Sequence, residues 1–170
     1  MKKGLDLILM GGALLLVIMM LILLCAPGLN FFGKYGDPAG RAALADLINP
    51  DGGKALGGSV AALLFTLFGL GAAGCLVVLK HLNKDVKWAS FVALGGAICL
   101  FIAALMFFCT RAFYFAQVAR TNDMTVKAVK EGMADKVKLG GGAIVNGLFA
   151  LFAAASLGFK GVMGLVKVKE

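Results

Sequence analysis

The side chains able to do acid-base, metal or nucleophilic chemistry are few in this sequence, and their spacing matches no known site. His81 is the single histidine among 170 residues, and it stands next to Lys80 in a short basic segment. The cysteines, at positions 25, 75, 99 and 109, lack the paired spacing of a zinc site. The glycines at 69, 71 and 74 lie inside an apolar run and follow no strand, so they do not form a phosphate-binding loop. We therefore expect neither an enzyme nor a bound cofactor or metal.

Two cysteines occupy positions at which a disulfide could form. Cys25 and Cys109 end the first and third long apolar runs, which we expect to cross a membrane in the same direction. The two thiols would then lie at the same level, and an oxidising compartment would allow a bond between them. The alternative is that both remain free and pack as small apolar groups.

The composition indicates which kind of structure carries these residues. The chain is 61% hydrophobic and 15% charged, with a mean hydropathy of +0.93. Soluble domains average about 45–50% apolar and about 25% charged residues, and a bilayer-spanning helix needs about 20 apolar residues. The chain holds four such runs, which predict spans at about 6–26, 56–79, 88–112 and 142–164. We predict an all-α integral membrane protein, a tetraspan bundle forming one domain over 1–170.

Lysine placement predicts the orientation of the bundle. Lys2 and Lys3 precede the first run, and the next basic residue after that run is Lys34. Because basic residues favour the cytoplasmic side, we expect both termini to be cytoplasmic, in a multi-pass protein of the cell (inner or plasma) membrane. The first run exceeds the 7–15 apolar residues of a signal peptide, so we expect it to be retained. We read the net charge of +8 as topology and lipid contact, not as nucleic-acid binding.

This orientation gives an inner loop over 80–87 and outer loops over 27–55 and 113–141, in which we expect short amphipathic helices. Asp37 and Pro38 resemble a helix start, so a helix is predicted over about 38–48. In the second outer loop, apolar residues recur at helical spacing from Val126 to Val137, which predicts an amphipathic helix interrupted at Gly132. These helices could cap the bundle or lie along the lipid interface.

Small residues at helical spacing mark the expected packing faces, because helices in lipid associate through close backbone approach. Asn146 heads one of these stripes, and we expect its amide to hydrogen-bond to another helix. The stripes could pack within one chain or form a face between copies. Their members are Asn146, Ala150, Ala154 and Gly158 on the fourth span, Ala89, Ala93 and Ala97 on the third, and Gly58 and Ala62 on the second.

The middles of the predicted spans hold no ionisable side chain, which argues against an ion-coupled transporter. We therefore expect a small membrane scaffold or accessory subunit that acts through helix packing and outer-loop contacts. Its partners would be the lipid bilayer and further copies of itself or another membrane protein. The alternative is an oligomeric channel or pore, or a lipid-handling protein, since hydrophobic pores need no charged lining.

Overall fold

The computed structural model describes residues 2–33, 38–48, 55–82 and 88–167, so most of the expected inner loop lies outside the described residues. The chain divides into two compact units. The helical unit comprises 1–21, 63–104 and 148–170, and the sheet unit comprises 22–62 and 105–147. The expectation of one domain over 1–170 stays a prediction.

Long apolar helices account for most of the chain. These are α1 (Lys2–Ile22), α3 (Gly57–His81), α4 (Ala89–Phe108) and α7 (Gly141–Lys167). Within the described residues, four segments are long and apolar enough to cross a membrane, namely Asp6–Cys25, Gly57–His81, Ala89–Phe108 and Gly141–Val166. The prediction of four helices long and apolar enough to span a membrane is confirmed, and the exact span boundaries stay a prediction.

In the helical unit, α1 buries one face and leaves the other for lipid. Met10, Ala13, Val17 and Met20 recur every three or four residues and are at most 2% exposed. Ile8, on the opposite face, is 71% exposed. Both faces of α1 are apolar. One face packs inside the protein, and the exposed face is suited to contact with acyl chains.

Small residues let α3, α4 and α7 approach closely within the helical unit. A Cβ atom added at Gly96 of α4 would lie 2.6 Å from the Cβ of Ala72 on α3 and 3.1 Å from Cδ1 of Leu157 on α7. A Cβ at Gly161 of α7 would lie 2.6 Å from Cγ of Leu94 on α4. Glycine at these two positions is what allows the helices to be this close.

The sheet unit contains an antiparallel three-stranded sheet that joins the two long loops. The strands are β1 (Pro27–Phe32), β2 (Pro38–Ala43) and β3 (Val137–Leu139), in the order β2-β1-β3. Phe31 of β1 pairs with Gly40 on one side and with Val137 on the other. One edge of the central strand β1 thus pairs with residues more than 100 positions later in the chain.

The prediction of a helix over 38–48 is wrong for its first half, which forms β2. The helix that follows, α2, covers only Leu44–Ile48. Its start is set by Asp46, whose Oδ2 accepts a hydrogen bond from the backbone N–H of Ala43 (3.1 Å). A side chain that reaches back from the third helical residue in this way marks Ala43 as the residue before the helix. Asp37, the helix start expected from the sequence, lies outside the described residues. Gly40 disfavours a helix interior at this point of the chain.

Two further helices, α5 (Thr110–Thr121) and α6 (Val126–Met133), complete the sheet unit. Thr125 caps α6, since its Oγ1 accepts a hydrogen bond from the N–H of Ala128 (3.3 Å). Gly132 lies inside α6 and does not interrupt it, and Val137 belongs to β3, so both details of the predicted helix were wrong. The common core of these elements comprises Leu29, Phe115, Ala119, Val129 and Val137.

Candidate functional site

The residues predicted to pack helices are all buried or partly buried. Gly158 would place a Cβ 3.7 Å from that of Ala97, and a Cβ on Gly58 would collide with the Phe113 ring. Those that are buried are Ala62, Ala93, Asn146, Ala150 and Ala154, and those that are partly buried are Gly58, Ala89, Ala97 and Gly158. The tight approaches at Gly96 and Gly161 were missed, although both residues lie at small-residue spacing along their helices.

The hydrogen bond expected from Asn146 to another helix stays a prediction. The Asn146 side chain is fully buried in the sheet unit, and among the described residues neither Nδ2 nor Oδ1 has a partner. The Oγ of Ser59, in the same unit, is also buried without a partner. A buried polar group left in this state costs about 1–3 kcal/mol.

Cys25 and Cys109 are both exposed, and the structure holds them as free thiols. Cys25 ends a 3-10 turn after α1, and Cys109 is the residue between α4 and α5. The structure contains no bond between these two thiols, and the disulfide considered from the sequence stays a prediction.

A groove of about 290 Å³ on the sheet unit is lined by apolar side chains and several polar groups. Its position follows from one face of α5, where Tyr114, Val118 and Thr121 recur at helical spacing. The opposite wall comes from α2 and from Leu56, whose N–H donates a 2.7 Å hydrogen bond to the carbonyl of Leu47. The lining residues are Asp46, Leu47, Leu56, Tyr114, Gln117, Val118, Thr121 and Asn122.

Two polar side chains of this groove donate hydrogen bonds to backbone carbonyls of α5. The hydroxyl of Thr121 donates to the carbonyl of Gln117 (2.9 Å), and Nδ2 of Asn122 donates to the carbonyl of Val118 (2.8 Å). These bonds fix both side chains and leave their oxygen atoms able to accept. The groove therefore presents hydroxyl, amide and carboxylate oxygens above apolar carbon, a combination suited to a peptide or side chain that carries donors.

Tyr114 is the aromatic member of the groove. Its ring meets that of Phe31 edge-on, with centroids 5.6 Å apart and planes at 67°. Burial raises the pKa of Tyr114 above its ordinary value of 10.0, because the phenolate would lose solvation. At neutral pH the side chain is thus a phenol, which can donate one hydrogen bond.

Arg111 fastens the base of α5 to the turn after α6. Its Nη2 donates to the carbonyl of Ala134, and the guanidinium lies 5.1 Å from the centroid of the Phe115 ring. The Nε of the same side chain is buried without a partner among the described residues. Arg111 therefore ties α5 to the turn after α6 and is not among the residues that line the groove.

Three charged side chains meet at one end of the helical unit. Nζ of Lys160 on α7 lies 2.9 Å from Oδ1 of Asp6 on α1, and Nζ of Lys80 on α3 lies 3.9 Å from Oδ2 of the same carboxylate. This cluster was not predicted from the sequence. The predicted topology already placed all three at the same level, so the signal was present in the sequence.

Comparison of the chain with protein-family models, with curated proteins and with solved structures finds no match. The fold itself defines a class, that of a multi-pass membrane protein in which the long loops build a small folded unit. Among the described residues, no three His, Cys, Asp or Glu side chains come together as a metal site would require.

Proposed function

We propose that this chain is a small membrane scaffold or accessory subunit, with both termini cytoplasmic, which binds another membrane protein or further copies of itself. The four spans would hold it in the bilayer, and the sheet unit would supply the contact. The observation that carries the proposal is that the loops build a unit with its own buried core, centred on Leu29, Phe115 and Val137. Loops that only connect spans have no need of such a core.

Two neighbouring features make the sheet unit suited to binding. Pro38, Ala39, Gly40 and Arg41 of β2 are exposed, and among the described residues no strand pairs with the far edge of β2. An open strand edge can accept an extended segment of a partner through backbone hydrogen bonds. Asp46, which lines the groove beside α5, lies only three residues after the end of β2. One partner could therefore contact both the open edge of β2 and the groove. We call the two together the contact surface.

Site-specific photo-crosslinking in native membranes tests this proposal. A photoreactive residue at Arg41 or at Thr121 should form adducts of defined mass with one partner or with a second copy. The control is the same residue at Lys127 on α6, whose side chain is 87% exposed. A monomeric protein that forms no adduct from Arg41 or Thr121 contradicts the proposal.

A second measurement addresses the alternative function. The purified protein is placed in liposomes, and the passage of ions, small solutes and labelled lipid is followed. Passage through the wild-type protein, unaffected by substitutions on the contact surface, would favour a channel or lipid-handling protein over a scaffold.

A further inference from the structure

A second groove, of about 470 Å³, lies in the helical unit beside the charged cluster. It is formed where α3 ends and α1 begins. Its walls are Leu7, Val77, Val78 and Leu82, and its charged and polar members are Lys80 and His81. The groove therefore has apolar sides and a basic end.

Among the described residues, which leave out 83–87, the ammonium of Lys80 has no carboxylate to itself. Asp6 is the acidic residue of the cluster, and its closer partner is Lys160, at 2.9 Å against 3.9 Å for Lys80. Within the described part of the chain, the one carboxylate of this cluster thus faces two ammonium groups, and the longer contact belongs to the lysine that lines the groove. A site with this excess attracts an anion.

The apolar walls indicate what kind of anion fits. Leu7, Val78 and Leu82 are each more than half exposed, at 55%, 56% and 56%. In a bilayer such surfaces are covered by acyl chains, while basic residues at the ends of spans lie at headgroup level. A phospholipid carries both parts, an acyl chain for the walls and a phosphate within reach of Lys80 and the His81 ring.

We propose that this groove binds one anionic phospholipid, with its phosphate on Lys80 and an acyl chain along Leu7 and Val78. His81 assists by donating a hydrogen bond from its ring to the headgroup. The site is independent of the proposed scaffold function, since it uses no residue of the contact surface.

Native mass spectrometry of the full chain in detergent, titrated with phosphatidylglycerol or phosphatidylcholine, tests the proposal. The wild-type chain should retain one phosphatidylglycerol more tightly than phosphatidylcholine. Lys80→Gln should weaken phosphatidylglycerol binding about five-fold, the effect expected of one lysine at a membrane surface. The matched control, Lys130→Gln, removes the same charge from an exposed position on α6 and should bind as the wild type does.

A second pair of variants tests the apolar wall without changing charge. Val78→Trp fills the groove and should also lower phosphatidylglycerol binding. Ile98→Trp adds the same bulk at a position on α4 that is 61% exposed and should have no effect. The proposal is overturned if Lys80→Gln and Val78→Trp both bind as the wild type, if the two lipids bind equally, or if inorganic phosphate alone displaces the lipid.

Discussion

The carboxylate of Asp6, on the first turns of α1, lies 2.9 Å from the ammonium of Lys160 near the end of α7. The two side chains are only 13% and 22% exposed, so this ion pair is shielded from water far more than the pair between Lys127 and Glu131 on α6. It joins the first and last spans of the helical unit. Its partners are 154 positions apart in the chain, so the contact depends on the tertiary fold.

We expect Asp6→Asn to destabilise the protein by roughly 1–3 kcal/mol. The substitution leaves two lysines facing each other in a poorly solvated position, and removing one partner from fully buried pairs costs about 3–5 kcal/mol. The free energy of unfolding of the detergent-solubilised protein measures the effect. Glu131→Gln, which breaks the exposed pair, is the control and should change stability by at most about 0.5 kcal/mol. Equal effects of the two substitutions would show that the shielded pair between Asp6 and Lys160 has no special role.

Gly96→Ala should lower stability by about 1–3 kcal/mol, because the new methyl group would lie 2.6 Å from the Cβ of Ala72 and force α3 and α4 apart. Gly95→Ala is the matched control, since a Cβ there meets nothing within 4 Å. It should be neutral or stabilising by up to about 1 kcal/mol, because alanine favours a helix over glycine. Thermal unfolding of the two variants side by side tests the packing, and the reverse order of stability would contradict it.

Gly140→Ala should disrupt the pairing of β1 with β3. A Cβ at this position would collide with the carbonyl of Pro27, and backbone atoms move aside less readily than side chains. The N–H of Gly140 also donates a 2.8 Å hydrogen bond to the carbonyl of Gly28. Amide hydrogen exchange at Phe32, whose N–H donates to the carbonyl of Lys136 (2.6 Å), should become faster. Gly141→Ala, where a Cβ meets nothing within 4 Å, should leave that exchange rate unchanged.

Asn146→Leu should stabilise the protein by about 1–3 kcal/mol, because it replaces an unpartnered buried amide with an apolar side chain of similar size. Ser59→Ala, at a second buried polar side chain that has no partner among the described residues, should be neutral or slightly stabilising for the same reason. Unfolding in detergent gives both values. A clear loss of stability in Asn146→Leu would mean that a buried water or another bound group satisfies the amide.

Tyr114 should titrate above its ordinary pKa of 10.0, because burial disfavours the phenolate. The sign of the stability change follows from linkage. The folded chain binds the Tyr114 proton more tightly than the unfolded chain. The contribution of the protonated side chain to the free energy of unfolding is therefore complete below pH 10.0 and is lost as the pH rises through the folded pKa. Tyrosinate absorbance measures it in a Tyr35→Phe variant, which leaves one of the two tyrosines. A folded-state titration at or below that of the denatured chain would contradict the expectation.

The sheet unit shows why part of the fold could not be read from the sequence. Apolar spacing correctly indicated that Val129 and Met133 share a helix face, because helical periodicity is a local property. The same spacing wrongly extended that helix to Val137, which instead pairs with Phe31. A strand of three residues has no periodicity long enough to recognise, and its partner lies in the other loop.

The sequence alone determined that four apolar runs are long enough to cross a bilayer, because the length of a run depends only on consecutive residues. It also determined which residues were small enough for close packing. Only the tertiary structure decided how they are used. Gly95 and Gly96 are the same residue type at adjacent positions, yet one faces open space and the other faces Ala72. Successive residues point about 100° apart around a helix, so the difference appears only once the neighbouring helix is in place.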